Sequence, residues 1–131
     1  MASYRTRLVA YLDLLGFKDR VEHSVNNSMV FSAIKDALES VEAHTRAIRT
    51  RGRVPGVPTP RVTTQMFSDS ISLSVLGTGK WSFAAMTGNL MLLQTQLLLK
   101  GFLWRGALAG GLHYEKGKVM FGPAMIAAVN L

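Results

Sequence analysis

Val62-Thr-Thr-Gln-Met-Phe-Ser-Asp-Ser-Ile-Ser-Leu-Ser-Val-Leu76 decides the fold class. Val62–Phe67 and Ser70–Leu76 are two β-rich runs with Ser68-Asp69 between them, so the stretch predicts a hairpin with Asp69 at or near its tip. In the second run Ile71, Leu73 and Val75 alternate with Ser70, Ser72 and Ser74, the pattern of a half-buried strand. Two consecutive strands break strict strand–helix alternation. That excludes a doubly wound parallel sheet and points to an α+β sheet covered by helices.

Working outward, residues 7–14 (Arg-Leu-Val-Ala-Tyr-Leu-Asp-Leu) read as a strand with apolar residues on both faces, hence a central one covered on both sides. Gly16 turns the chain, and a short helical turn follows through Val21. Asn26, Asn27 and Ser28 offer N-caps. Val30, Ile34, Leu38, Val41 and Ile48 then recur at helical spacing, with Glu42 and Arg46 paired at i,i+4. This is a helix of roughly six turns, expected to stop at Gly52 before the proline-punctuated loop 53–60. Ser82 is the expected cap of a second long helix closed by Gly101, with Phe83, Met86, Leu90, Leu93 and Leu97 as its buried stripe. So apolar a helix packs on more than one side or meets a partner chain.

Residues 102–113 read as a strand interrupted by Gly106, Gly110 and Gly111, which marks bulges or close approach to the backbone. A turn at 114–118 returns the chain as Val119-Met-Phe121, and Gly122-Pro123 opens a last helix. The order is β-α-β-β-α-β-β-α, which fits a ferredoxin-like (palm-type) antiparallel sheet with its split β-α-β arrangement. With no internal repeat and no linker, residues 1–131 read as a single domain. The last helix begins only about two turns before Leu131, so the domain reads as incomplete at its C-terminus.

The chain has no cysteine, which excludes a disulfide framework and a thiol nucleophile. Residues 83–99 are the most apolar stretch, but polar residues break it and it is short for a membrane span. The N-terminus lacks a signal-peptide core, so a cytoplasmic location and no membrane partner are expected. The net charge of +7 suits an anionic partner. Arg46, Arg49, Arg51, Arg53 and Arg61 lie close together; they read as a solvated helix end or as a phosphate or nucleic-acid contact. His113, beside a turn, reads as a surface or backbone-bonded residue.

Asp13 and Asp69 each sit where a strand meets a turn, a position that apolar strand sequence does not favour for Asp. On neighbouring strands they place two carboxylates together, which is costly unless a cation or a proton neutralises them. Hard divalent cations that handle phosphates are held this way.

These residues resemble a known family. Tyr11-Leu-Asp-Leu-Leu-Gly-Phe17 is similar to the first metal-site motif of class III nucleotide cyclases, and Phe67-Ser-Asp-Ser70 to their second. Arg105-Gly-Ala-Leu-Ala-Gly-Gly111 and Gly122-Pro-Ala-Met-Ile-Ala-Ala128 resemble two further segments in the same order. The resemblance implies a nucleoside triphosphate substrate and a two-ion Mg²⁺ or Mn²⁺ site at Asp13, the Leu14 carbonyl and Asp69. It implies a phosphate cradle of the Leu15, Gly16 and Phe17 N–H groups, and a base-selecting region near Gln65 and Val119. The reaction implied is 3′,5′-cyclic nucleotide formation with release of pyrophosphate, a phosphorus–oxygen lyase activity, in a homodimer or with a partner domain. The asparagine and arginine that stabilise the transition state in that family fall on Ile126 and Asn130, and Arg105 is the residue able to supply the missing charge. Two other readings stand beside it: a catalytically degenerate module for dimerisation or regulation, and nucleic-acid binding through the arginine cluster, which lacks the aromatic platform usual for single strands.

Overall fold

The computed structural model describes residues 3–50, 60–117 and 119–131, with side chains outside residues 45–50. The expected stop at Gly52, the proline loop, the Glu42–Arg46 pair and the arginines other than Arg61 lie outside the described side chains.

Five strands and four helices follow in the order β1 (Arg5–Leu14), α1 (Phe17–Ser24), α2 (Ser28–Thr50), β2 (Val62–Phe67), β3 (Ser70–Leu76), α3 (Lys80–Leu99), β4 (Trp104–Lys116), β5 (Val119–Phe121), α4 (Pro123–Asn130). The fold is α+β. The sheet order is β2-β3-β1-β4-β5, and every adjacent pair is antiparallel. It follows that β1 and β2 run parallel with β3 between them, and β3 and β4 run parallel with β1 between them. Two split β-α-β units are therefore interlocked. β5 extends the sheet beyond β4, so the order is not the plain four-strand one of a ferredoxin-like core.

The strand alternation assigns the faces. Leu8, Ala10, Leu12 and Leu14 of β1 join Ile71, Leu73 and Val75 of β3 in the main core, under Ala37 and Val41 of α2 and Met86, Leu93 and Leu97 of α3. Each such valine, leucine, isoleucine or methionine contributes about 1.5–3 kcal/mol by leaving water. The other face of β1 carries Arg7, Val9, Tyr11 and Asp13. Val9 is fully buried there because α4 packs on β1 and β4 through Ala124 and Ala128. Gly111 lies under this helix, and a Cβ there would touch the Ala124 Cβ at an ordinary 3.6 Å. The central strand is thus covered on both sides, as its sequence indicates.

Caps fix the helix ends. Asn27 Oδ1 accepts from the N–H groups of Met29 (3.0 Å) and Val30 (3.2 Å) and so starts α2. At the end of α3, Phe102 N–H donates to the Leu97 carbonyl and Gly101 N–H to that of Leu98, with Gly101 at φ 82°, a Schellman closure. The start of α3 differs from expectation. The helix begins at Lys80, and Ser82 is buried within it, its hydroxyl donating 2.7 Å to the Leu76 carbonyl. That bond ties α3 to β3 and turns Ser82 inward, which leaves Phe83 exposed instead of in the core stripe.

Candidate functional site

The β2–β3 turn is two residues long, and Ser68 takes φ 54° within it. Two-residue hairpin turns favour a positive φ at this position and normally fill it with glycine. The tight turn lays Ser70 opposite Asp13 across the β1–β3 ladder, and Leu14 N–H donates 3.0 Å to the Asp69 carbonyl. Asp13 and Asp69 are thereby fixed at one end of the sheet. Arg105 stands opposite Asp13 on the other side, in β4. Burial raises the Asp13 carboxyl pKa from its ordinary value; the Asp69 charge and the hydrogen bond that a protonated Asp13 donates to Asp69 raise it further, and Arg105 draws it partly back. The two carboxyl groups therefore interact directly at this strand end.

The residues beside Asp13 and Asp69 form a polar row on the α4 side of the sheet. Tyr11 hydroxyl and Ser70 Oγ are 2.9 Å apart. Gln65 and Ser72 follow in register with Tyr11. Gln65 Nε2 donates 2.8 Å to the Gly117 carbonyl, so the chain just after β4 reaches over to β2. No protein-family model and no curated protein matches this chain.

The other expected residues are placed as follows. Gly16 takes φ 67° and opens α1, and the Phe17 side chain is buried. Leu15 N–H already donates 2.9 Å to the Leu103 carbonyl, which removes it from the expected phosphate cradle. The bond arises because the segment between α3 and β4 runs beside the end of β1. Ile126 and Asn130 are both exposed on α4.

A second polar group lies further along the same face and was not legible as a unit. Arg7 NH1 approaches Glu115 Oε2 at 3.5 Å and donates 3.3 Å to Ser74 Oγ, while Thr63 Oγ1 donates to the same Glu115 oxygen. Four strands meet there. The Ser70, Ser72, Ser74 alternation is the signal that a polar face exists; its partners become visible only with the register. His113 belongs to this region and corrects the sequence reading: it is fully buried, and neither ring nitrogen has a hydrogen-bond partner. Burial lowers its pKa; Glu115 opposes that shift and Arg7 adds to it. The imidazole is accordingly held neutral.

The acidic pair fits a cation in kind. A carboxylate whose pKa is raised beside a second carboxylate is what a divalent ion relieves, and such ions complete their shell with water and substrate phosphate oxygens. Among the described residues no group of three or more His, Cys, Asp or Glu side chains gathers in one place, so a cation here would have two acidic side chains at most. No helix among the described residues is long and apolar enough to cross a membrane.

Proposed function

We propose that this chain is a nucleotide-cyclase-like domain with a palm-type core to which β5 is appended, and that Asp13 and Asp69 bind a divalent cation together with the phosphates of a nucleoside triphosphate. The observation that carries the reading is the placement of Asp13 and Asp69 at one strand end, where burial first and the Asp69 charge second raise the Asp13 pKa. A bound Mg²⁺ or Mn²⁺ would neutralise the phosphates and acidify a hydroxyl ligand. The chain's own residues would do the rest. Asp13 and Asp69 hold the ion from two neighbouring strands. Arg105 offers a positive charge at the same strand end. The N-terminus of α1, opened by Gly16, favours an anion by its dipole. Gln65 and the turn before Val119 lie along the same polar face, where a base would be read.

Turnover is the second part of the proposal, and Ile126 and Asn130 weigh against it. An isoleucine side chain donates no hydrogen bond, and an asparagine carries no charge to offset a developing oxyanion. The specific second reading is therefore a cyclase-like module that binds and does not cyclise, used for dimerisation or regulation. Nucleic-acid binding through the arginine cluster has no support beyond composition.

The test has two readouts. Thermal melts and calorimetry with Mn²⁺ and each nucleoside triphosphate should show metal-dependent binding, lost in Asp13→Asn and Asp69→Asn. Without ligand, Asp13→Asn should melt above the wild type at neutral pH. The sign follows from the raised pKa: Asp13 contributes stability that is present below its ordinary value of 3.8 and lost as pH rises through the raised one. Mass spectrometry then looks for cyclic product. Binding without product supports the non-cyclising module; a folded chain that binds no metal and no nucleotide refutes both readings.

A further inference from the structure

α3 is apolar on the side turned away from the core as well as on the side turned toward it. From Trp81 to Leu99 it carries no charged residue. Its buried stripe is Ser82, Met86, Leu93 and Leu97. The 3.6-residue period puts Trp81, Ala84, Gly88, Met91, Thr95 and Leu98 around the opposite side, and all six are exposed. Met91 is 68% open, Leu98 55% and Trp81 42%. A surface helix ordinarily carries charged and polar residues on that side. At about 200 Å² for a fully open large side chain, the large residues of this face and the flanking exposed Leu92 and Leu99 present roughly 500 Å² of apolar surface. The bared helix at Ala84 and Gly88 brings the face toward the ~800 Å² that each partner contributes to a standard interface.

We propose that this face pairs with the same face of a second copy of the chain, the two α3 helices running antiparallel across a two-fold axis between residues 89 and 90. The order of small and large residues is what selects a second copy. Reversing the helix about that point sets Met91 against the partner's Gly88, Thr95 against the partner's Ala84, and Leu98 against the partner's Trp81. Large meets small at the centre, and an isologous contact requires such self-complementarity. A Cβ added at Gly88 would have nothing within 4 Å, so the space the partner's side chain fills is open. The face itself carries no charge; the pairing brings Lys80 of each copy near Lys100 of the other at its two rims, so the contact should tighten as salt rises. α3 covers the sheet face opposite α4, so the pairing leaves the Asp13–Asp69 row open. The inference stands whether or not that row binds nucleotide.

Sedimentation of the whole chain over a range of concentrations tests it. A reversible dimer of twice the 14.3 kDa chain is expected. Met91→Glu should raise the dissociation constant roughly tenfold or more, because it buries a charge at the centre of the contact. Val25→Glu, at an equally exposed apolar position on another surface, should leave it unchanged. The chain contains no cysteine, so Gly88→Cys should form an intermolecular disulfide on mild oxidation and Val25→Cys should not. A monomer at all concentrations overturns the proposal. So does a dimer that survives Met91→Glu in a folded protein, or cross-linking that is no faster at Gly88 than at Val25.

Discussion

Gly106→Ala should unfold the end of the sheet that carries the acidic pair. A Cβ at Gly106 would lie 2.1 Å from the Tyr11 carbonyl oxygen, 2.7 Å from Leu12 Cδ2 and 3.0 Å from Leu12 Cα. The nearest of these is backbone of the paired strand, so no side-chain rotation relieves it. Close carbon–oxygen contacts settle near 3.3 Å, so β1 and β4 must part by about 1 Å. Overpacking of this kind costs about 1–3 kcal/mol, against a gain of roughly 0.5–1 kcal/mol from replacing glycine within a strand. A net loss of about 1 kcal/mol corresponds to a drop in Tm of roughly 3–5 °C for a chain of this size. Gly106 pairs with Leu12, next to the Asp13–Arg105 pair, so the same change should weaken any response to Mn²⁺. Gly79→Ala is the control: its Cβ meets nothing within 4 Å and its φ of −78° suits any residue. Differential scanning calorimetry of both variants decides the matter. A Gly106→Ala protein that melts with the wild type would refute the close approach, and with it the register that sets Asp13 opposite Arg105.

Two further outcomes follow from local geometry. Ser68→Gly should raise stability by about 1 kcal/mol, since a non-glycine residue at φ 54° carries roughly that strain; chemical denaturation measures it, and a loss of stability would show that the turn is not strained. The wild-type Tm should fall as pH drops below the ordinary histidine value of 6.5, because the depressed pKa of His113 means that the unfolded chain takes up the proton first. His113→Leu should flatten that part of the pH profile, and an unchanged slope would show that another group is responsible.

What was legible in the sequence followed from periodicity and from turn chemistry. The serine–isoleucine alternation in β3 and the apolar faces of β1 identified a hairpin and a strand covered on both sides. Gly101 closed its helix as glycine does after a last turn, and Gly106 marked close approach. What was not legible depended on partners distant in the chain. Ser82 has the chemistry of a cap, but the Leu76 carbonyl accepts its hydroxyl, and no local rule foresees that competition. His113 sits in a strand between a glycine pair and a turn, and only the packing of α4 and the Arg7–Glu115 pair accounts for its burial. The resemblance assigns Leu15 N–H to a phosphate cradle, and no local rule foresees that the Leu103 carbonyl, 88 residues away, accepts it instead. Asp13 and Asp69 were legible as a pair because each sat at a strand end where an apolar or turn residue would have served the fold better.

The departures from good local design collect at one end of the sheet. Ser68 adopts a backbone conformation that glycine would take without strain, the Asp69 charge adds to burial in raising the Asp13 pKa, and β1 and β4 approach until only glycine fits at 106. Elsewhere propensity, patterning and capping agree, from Asn27 at the start of α2 to the closure of α3. Sequences that are consistent across levels keep such exceptions where another requirement prevails. Of the three, the carboxylate pair alone is relieved by adding something to the protein. Strain at Ser68 and crowding at Gly106 are indifferent to Mn²⁺, whereas the Asp13–Asp69 repulsion is not. Stabilisation of the wild type by Mn²⁺ that persists in Ser68→Gly and disappears in Asp13→Asn would therefore assign the exception to cation binding. Stabilisation that is the same in all three would return the pair to a structural peculiarity of the turn.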